Sequence, residues 1–540
     1  MSVFTHLART TIAGFALAAA GLVFAQHPCS DLTDVQLSQA TVQSAAAAPQ
    51  GTVSAVNPAS AETVIVELPA HCAVRIVARP TRDSEIQVEL WLPLRNWNGK
   101  YKQVGNGGWA GQIRTGALME ALRRGYAVAA TDNGHSGPAT GIQAWAAGHP
   151  EKLVDFGHRA VHLASVHAKS VVAAFYGSAP RYSYFEGCSE GGREGLMEAQ
   201  RYADDFDGIV VGAPAHDWTG LFTSFVWNEQ AMLADPAAHL TADALQTLQD
   251  AALQACDVAD GVDDGLIENP LRCSFDAARV ACDASEDAAC LSEAQVAAVQ
   301  KIYAGPRDAN GMQLFPGLLP GAEARRNNWS AWLTPATGDA VQFVNGNSLF
   351  RDAVYEDPNW DYRTFEAAAD LHFARARVGT ILDAVNSDLR AFKARSGKLL
   401  HYHGWGEAAI SPLSSVAYHG AVRDFMARFP DASGERAETI DDFYRLFMVP
   451  GMGHCTANPE DYEFGNNVFR VTSTAADRNV FSALERWVEE GIAPAQLIAR
   501  RPDMDGSSIT HPLCPWPQVA RYDGIGDPRV ASSFMCAAPE

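Results

Sequence analysis

The sequence has little positive charge and no long apolar run after its first 25 residues. Lysine and arginine number 41 against 63 aspartates and glutamates, a net charge of -22. Such a surface repels polyphosphates and anionic lipid head groups, which excludes a nucleic-acid partner. Beyond residue 25 no segment reaches the roughly 18 to 20 consecutive apolar residues needed to span a bilayer, which excludes stable membrane association. The ten cysteines include no C-x-x-C pair, so zinc ribbons and thioredoxin-like redox sites receive no support. Disorder is excluded as well: 47% of residues are apolar and 19% charged, with 44 glycines and 28 prolines, as in compact globular chains. A length of 540 residues exceeds one ordinary core and implies two domains or a large core carrying an inserted lobe.

Residues 1–25 carry His6 and Arg9, then an apolar run from Ile12 to Phe24 and small residues before Gln26. This pattern predicts a secretory signal cleaved after Ala25, and hence a periplasmic or extracellular protein. In an oxidising compartment the even cysteine count predicts five disulfides. Closeness in sequence favours Cys256 with Cys273 and Cys282 with Cys290, and leaves the other partners open.

Past the low-complexity stretch Ser44 to Pro49, residues 63–67 and 86–92 alternate and are β-branched, predicting strands at a β-rich N-terminal edge. A strand at 125–132, a helix at 157–176, a strand at 182–186 and another at 209–213 follow. Strands alternating with helices predict a mainly parallel α/β sheet. Between about 216 and 382 the pattern becomes irregular, aromatic and acidic, which reads as an inserted lobe. The α/β pattern resumes with a helix at 386–395, strands at 398–403 and 445–449, and a helix at 478–490. The core is therefore expected from 26–215 and 383–540, with the lobe, 216–382, between its halves.

Gly187-Cys188-Ser189-Glu190-Gly191 stands between the strand at 182–186 and a helical pattern at 193–202. G-x-S-x-G in that context predicts a nucleophile elbow, a turn that lifts the serine oxygen above the sheet; the bland alternative is a glycine-rich structural turn. A serine hydroxyl is a weak nucleophile at neutral pH and needs an imidazole base oriented by a carboxylate. In this context the chain order is serine, acid, histidine, and the candidates are Glu407 and His454, each in a loop after a strand. Two backbone N–H groups should receive the oxyanion: that of Glu190 and, from Gly105-Asn106-Gly107-Gly108, that of Gly108. A bridge between Cys188 and Cys455 would staple nucleophile to base.

These segments, with Gly192-Arg193, His403-Gly404-Trp405-Gly406-Glu407, Pro450-Gly451-Met452-Gly453-His454-Cys455 and Pro512-Leu513-Cys514-Pro515-Trp516-Pro517, resemble the tannase and feruloyl esterase family. The resemblance covers nearly the whole mature chain. It implies an α/β-hydrolase core with a large lid and a triad of Ser189, Glu407 and His454. It also implies the bridges Cys29–Cys72, Cys188–Cys455, Cys256–Cys273, Cys282–Cys290 and Cys514–Cys536. Aspartate is usual in the family where this chain has Glu407, and the extra methylene requires the loop to retreat. The acidic turn from Asp257 to Leu266 does not fit an EF-hand, having no glutamate at the closing position. The resemblance implies a structural calcium there, held by the side chains of Asp257, Asp260 and Asp264 and the carbonyls of Val262 and Leu266.

The lobe's aromatic residues, among them Trp218, Phe222, Phe225 and Trp332, can build a lid core and line a slot for an aromatic acyl group. Substrate contacts are expected from Phe343, Asn347 and His403. The terephthalate branch of the family clamps its substrate's carboxylate with a lid arginine, and by local register Phe343 stands there, although Arg351 is near. The expected substrates are therefore small phenolic esters such as ferulates or gallates, cleaved through an acyl-enzyme without an organic cofactor. A terephthalate monoester hydrolase, a serine peptidase and a catalytically silent binding protein on the same fold are the alternatives. Oligomeric state is not legible.

Overall fold

The computed structural model describes residues 27–56, 63–141, 145–282, 289–430, 439–455, 458, 460–467, 472–503 and 506–539. The expected signal segment, 1–25, lies outside them.

Nine strands form the central sheet: β1 (Ala40–Ala48), β2 (His71–Ala78), β3 (Ile86–Pro93), β4 (Lys100–Val104), β5 (Ala127–Thr131), β6 (Tyr182–Cys188), β7 (Gly208–Gly212), β8 (Lys398–Gly404) and β9 (Tyr444–Val449). Their order is β1-β2-β3-β5-β4-β6-β7-β8-β9. The pairs β1–β2, β2–β3 and β3–β5 are antiparallel, and all pairs from β5 through β9 are parallel. Continuous apolar runs produce this arrangement: Ala127–Thr131 and Gly208–Gly212 are buried along their whole length because helices cover both faces. One face packs Val171, Phe175 and Leu196 against Ile209 and Leu399; the other packs Leu118, Leu122, Phe481 and Leu484 against Val128, Val210 and Leu400. This is an α/β-hydrolase fold, as expected.

The N-terminal edge differs in detail. Thr63–Leu68 is a strand, but it pairs with Gly51–Val56 in a separate hairpin rather than joining the sheet. The low-complexity stretch instead ends β1, where Ala45 to Ala48 pair with Val74 to His71. Backbone bonding carries this pairing, and small side chains leave no periodic signal to read. The helix expected at 386–395 is confined to Arg390–Ala394.

Between β7 and β8 no described residue joins the central sheet. Helices Trp218–Leu233, Ala242–Cys256, Glu293–Ala304 and Val341–Ser348 occupy this insertion. They pack into two apolar clusters, one around Phe222, Phe225 and Phe350 that also takes in Trp109, Phe156 and Ile410 of the core, another around Leu248, Val299 and Trp329. All five disulfides pair as the resemblance implied, with Cys256–Cys273 and Cys282–Cys290 both inside the insertion.

Helix Pro412–Arg428 carries a titratable weak point. His419 is 3% exposed, lies edge-on to Tyr444, and neither ring nitrogen has a partner among the described residues. Burial, and then the charge of Arg423, push its pKa down to about 4. The folded value lies below the unfolded one of about 6.5, so the unfolded chain takes the proton first. The contribution is full above about pH 6.5 and is lost as pH falls toward 4, to the extent of about 3 kcal/mol. His419→Leu is expected to flatten the acid limb of a Tm series between pH 7 and 4 while moving Tm at pH 7 little. An acid limb as steep as the parent's would remove His419 as its cause.

Candidate active site

Ser189 sits between β6 and helix Glu190–Arg201 with φ 65° and ψ −120°, a backbone conformation that non-glycine residues rarely adopt. Its own N–H donates to Gly212 O, and its carbonyl accepts from Arg193 and Ala215, so the turn is held from both sides. Glycine is required beside it: a Cβ on Gly187 would lie 2.3 Å from the Gly191 carbonyl oxygen. The neighbouring loop is tied to the elbow by Gly191 N donating to Asn106 O at 3.1 Å. Gly108 has φ +59°, and a Cβ there would lie 2.2 Å from Ala139 O. The N–H groups of Glu190, Gly107 and Gly108 have no acceptor among the described residues. Unsatisfied donors beside a raised serine are what an oxyanion site needs.

Loops after β8 and β9 bring the other two candidates together. His454 Nδ1 lies 2.9 Å from Glu407 Oε1, which also accepts from Ala409 N at 2.9 Å and Ile410 N at 3.3 Å. Glu407 is 2% exposed. Burial alone would raise its pKa, but the His454 imidazole, then His403 and the Ala409 N–H, outweigh it and hold the carboxyl below its ordinary value. A carboxylate on Nδ1 fixes the tautomer and leaves Nε2 as the basic nitrogen. Nε2 lies 3.5 Å from Cys455 Sγ, and Ser189 Oγ has no hydrogen-bond partner among the described residues. The Cys188–Cys455 bridge, Cα to Cα 5.8 Å, joins the residues flanking Ser189 and His454. Trp332, from the insertion, sets its ring edge-on to His454 at 4.9 Å.

Ser189, His454, Gly107 and Gly108 line one cavity of about 880 Å³. Its insertion side is mainly apolar and aromatic, from Trp218, Leu221, Phe222, Phe225, Trp332 and Val341, with Asn327 and Asn345 as its polar groups. Its core side is more polar, with Gln112, Arg114, Thr115, Glu186 and Asn466. A site of this size with a few polar groups among aromatic walls suits a small aromatic ligand.

The profile of the family described as "Tannase and feruloyl esterase" matches residues 72–537. The chain belongs to the tannase and feruloyl esterase family. It is 37% identical over 536 residues to an uncharacterised esterase of Xanthomonas campestris pv. campestris, covering 95% of this chain and 91% of that one. It is 31% identical to a probable feruloyl esterase B-2 of Aspergillus terreus, with 93% of each chain covered. Among solved structures, feruloyl esterase B from Aspergillus oryzae superposes with a TM-score of 0.83 at 29% identity, over 94% of this chain and 99% of that one. The tannin acyl hydrolase of Aspergillus niger shares the fold, with a TM-score of 0.71 at 22% identity over 93% of this chain and 92% of that one. Membership in this family makes the chain a carboxylic ester hydrolase by class.

Three expected substrate contacts of this family member lie off the cavity wall. Phe343 packs edge-on against Tyr362, and Asn347 donates to the Phe343 carbonyl, so both are spent within the insertion. They face away because Asn345, two positions before Asn347, is the one that reaches the cavity, and its Oδ1 accepts from Gly141 N. His403 is fully buried beneath the site, bonded to Ser415 Oγ at 2.6 Å and Ile410 O at 3.1 Å, and burial pushes its pKa down to about 4. Conversely, Leu221, Val341, Asn345 and Arg114 line the cavity without having been singled out. Trp218, Phe222 and Phe225 were legible as aromatic candidates, whereas a lone arginine in a loop carries no pattern.

The acidic turn offers a donor set of the right type for a hard cation. Gly261 at φ +91° and Gly265 at φ +76° fold it back on itself. Asp257 accepts from the N–H groups of Asp264 and Gly265, and Asp260 from that of Val262, which shapes the turn. Asp264 Oδ2 also pairs with Arg501 at 3.0 Å, leaving three carboxylates against one guanidinium. The residues therefore fit calcium in donor type and charge. A tighter group elsewhere, His162, Glu198 and Asp205, is a different case. There His162 and Lys169 already pair with Asp205 at 2.7 and 3.5 Å, and an ammonium beside the cluster disfavours a cation.

Proposed function

We propose that this protein is a secreted serine carboxylesterase that hydrolyses esters of phenolic acids through an acyl-enzyme. The observation that carries the reading is a single cavity in which Ser189 and the Glu407-bonded His454 meet an aromatic wall from the insertion. Relatives named feruloyl esterase support the acyl preference, and the five disulfides together with the N-terminal apolar pattern support export.

Turning the Ser189 side chain toward His454 Nε2 completes the relay; such bonds commonly close only when substrate is bound. Ser189 Oγ then attacks the ester carbonyl carbon while Nε2 takes its proton. Glu407 steadies the imidazolium, and the N–H groups of Glu190 and Gly108 receive the oxyanion. The imidazolium gives its proton to the leaving alcohol oxygen as the C–O bond breaks. Water, losing a proton to Nε2, attacks the acyl-enzyme, and that proton returns to Ser189 Oγ as the acid leaves. The aryl ring of the acyl group stacks in the slot formed by Trp218, Phe222 and Phe225.

Chromatographic release of acid from methyl ferulate, methyl gallate and mono(hydroxyethyl) terephthalate tests this. The expected order of kcat/KM places a phenolic ester first by about tenfold or more, since among the described residues the insertion side of the cavity, where the acyl ring would lie, carries no cationic side chain to clamp a second carboxylate. A terephthalate monoester in first place would turn the reading to that branch. Cleavage of a peptide at rates comparable with the esters would turn it to a peptidase.

We further propose that the turn Asp257–Leu266 holds a structural calcium through the side chains of Asp257, Asp260 and Asp264 and the carbonyls of Val262 and Leu266. Calcium would supply charge neutralisation and cross-linking within the insertion, away from the reacting atoms. Chelation is expected to lower Tm by several degrees, reversed by added calcium, with about one calcium per chain by elemental analysis. A Tm indifferent to chelator in a metal-free preparation would remove the site.

A further inference from the structure

Arg114 is a charged group of the cavity wall for which the proposed mechanism has no use. Its Nη1 lies 3.4 Å from Asn106 O and 3.2 Å from where a Cβ on Gly107 would stand, which places the guanidinium beside the oxyanion loop. It is open to solvent, yet protein surrounds it closely enough for burial to pull its pKa below the ordinary value, against the attraction of Glu194 and Glu190. Both of those acids have donors of their own. Glu190 is held by Arg193 at 2.7 Å, and Glu194 accepts from Asn106 N at 3.0 Å and Asn133 Nδ2 at 2.7 Å. Among the described residues no carboxylate lies within 4.0 Å of the Arg114 guanidinium. Among the described residues the one carboxylate on the cavity wall, Glu186, is paired with Lys102 at 2.6 Å. An unpaired guanidinium in a cavity of a chain with net charge -22 is a receptor for an anion, and its planar fork matches a carboxylate.

Resting on the esterase reading above, we infer that Arg114 is a specificity-determining residue that binds a carboxylate on the alcohol half of the ester. The halves are assigned by the walls. Trp218, Phe222 and Phe225 form the side suited to an aromatic acyl group, and Arg114 stands with Gln112 and Thr115 on the polar side. The substrate class is thus phenolic esters of hydroxy acids. Hydrolysis of such an ester releases a hydroxycarboxylate besides the phenolic acid.

The test compares feruloyl glycolic acid with its primary amide, esters of equal size that differ in one charge. The native protein is expected to favour the acid by about tenfold or more in kcat/KM at low ionic strength, and by less at about 0.5 M salt. Arg114→Met should bring the acid-to-amide ratio to about one, and Arg114→Lys should keep part of it. Equal rates for the two esters with the native protein, or an undiminished ratio in Arg114→Met, would overturn the inference. A preference confined to a carboxylate on the acyl half, read with monomethyl terephthalate against its primary amide, would overturn the placement. Binding of the same glycolate pair to Ser189→Ala, followed by tryptophan fluorescence, separates this inference from the esterase reading. Tighter binding of the acid there supports Arg114 even if turnover fails, and equal binding counts against it.

Discussion

Ser189→Ala is expected to lower kcat for methyl ferulate by about 10⁵-fold or more, with Tm close to the parent's. The size follows from what the side chain does. On the proposed mechanism no covalent intermediate forms without Oγ, and the residual rate would come from water attacking a bound carbonyl polarised by the N–H groups of Glu190 and Gly108. Stability should hardly move because Ser189 Oγ makes no hydrogen bond among the described residues, and alanine has the same backbone restriction at φ 65°. Intact-mass spectrometry during turnover should show the acyl adduct on the parent and none on the variant. Turnover within tenfold of the parent would remove Ser189 as nucleophile.

Glu407 supplies the second large effect. Glu407→Ala is expected to cost about 10⁴-fold in kcat, the scale on which a histidine loses its tautomer and the anion that stabilises its charged form. Glu407→Gln should fall nearly as far, because an amide keeps the shape but not the charge. Glu407→Asp is the informative member. Oε1 accepts from His454, Ala409 and Ile410 at 2.9, 2.9 and 3.3 Å. Shortening the side chain by one methylene, about 1.5 Å, cannot keep all three without moving the loop. An intermediate loss of about 10- to 100-fold is therefore expected, with a lower Tm from the broken loop bonds. Near-native kcat in Glu407→Ala, beside an inactive Ser189→Ala, would show that another group orients His454.

Legibility varied with the kind of signal each element carries. The G-x-S-x-G turn was readable because three local requirements coincide: an apolar strand, a turn whose glycines admit close backbone contacts, and a helix beginning at once. The loops of Glu407 and His454 were readable as ends of apolar strands, since parallel strands gather their C-terminal ends on one side of the sheet. Thr63–Leu68 was readable as a strand, but its pairing with Gly51–Val56 was not, because alternation marks a strand without naming its partner. Phe343 and Asn347 were expected at the cavity from sequence register, but a helix turns about 100° per residue and a shift of two positions points a side chain elsewhere. Arg114 was invisible because a single arginine in a loop has no periodicity and no motif.

By itself the sequence determined the class of fold, supplied the candidate nucleophile, base and acid, and favoured the two short-range disulfides. These depend on local backbone requirements and on hydrophobic periodicity, which are written within a few tens of residues. Only the tertiary structure decided which aromatic residues share the serine's cavity, that Trp332 abuts His454, that His403 lies beneath the site, and that Arg114 stands on the cavity wall with no carboxylate partner among the described residues. Those facts depend on how an insertion of more than a hundred residues packs back over the sheet. Which side chain reaches a cavity is set there by packing and helix rotation, and composition does not encode either.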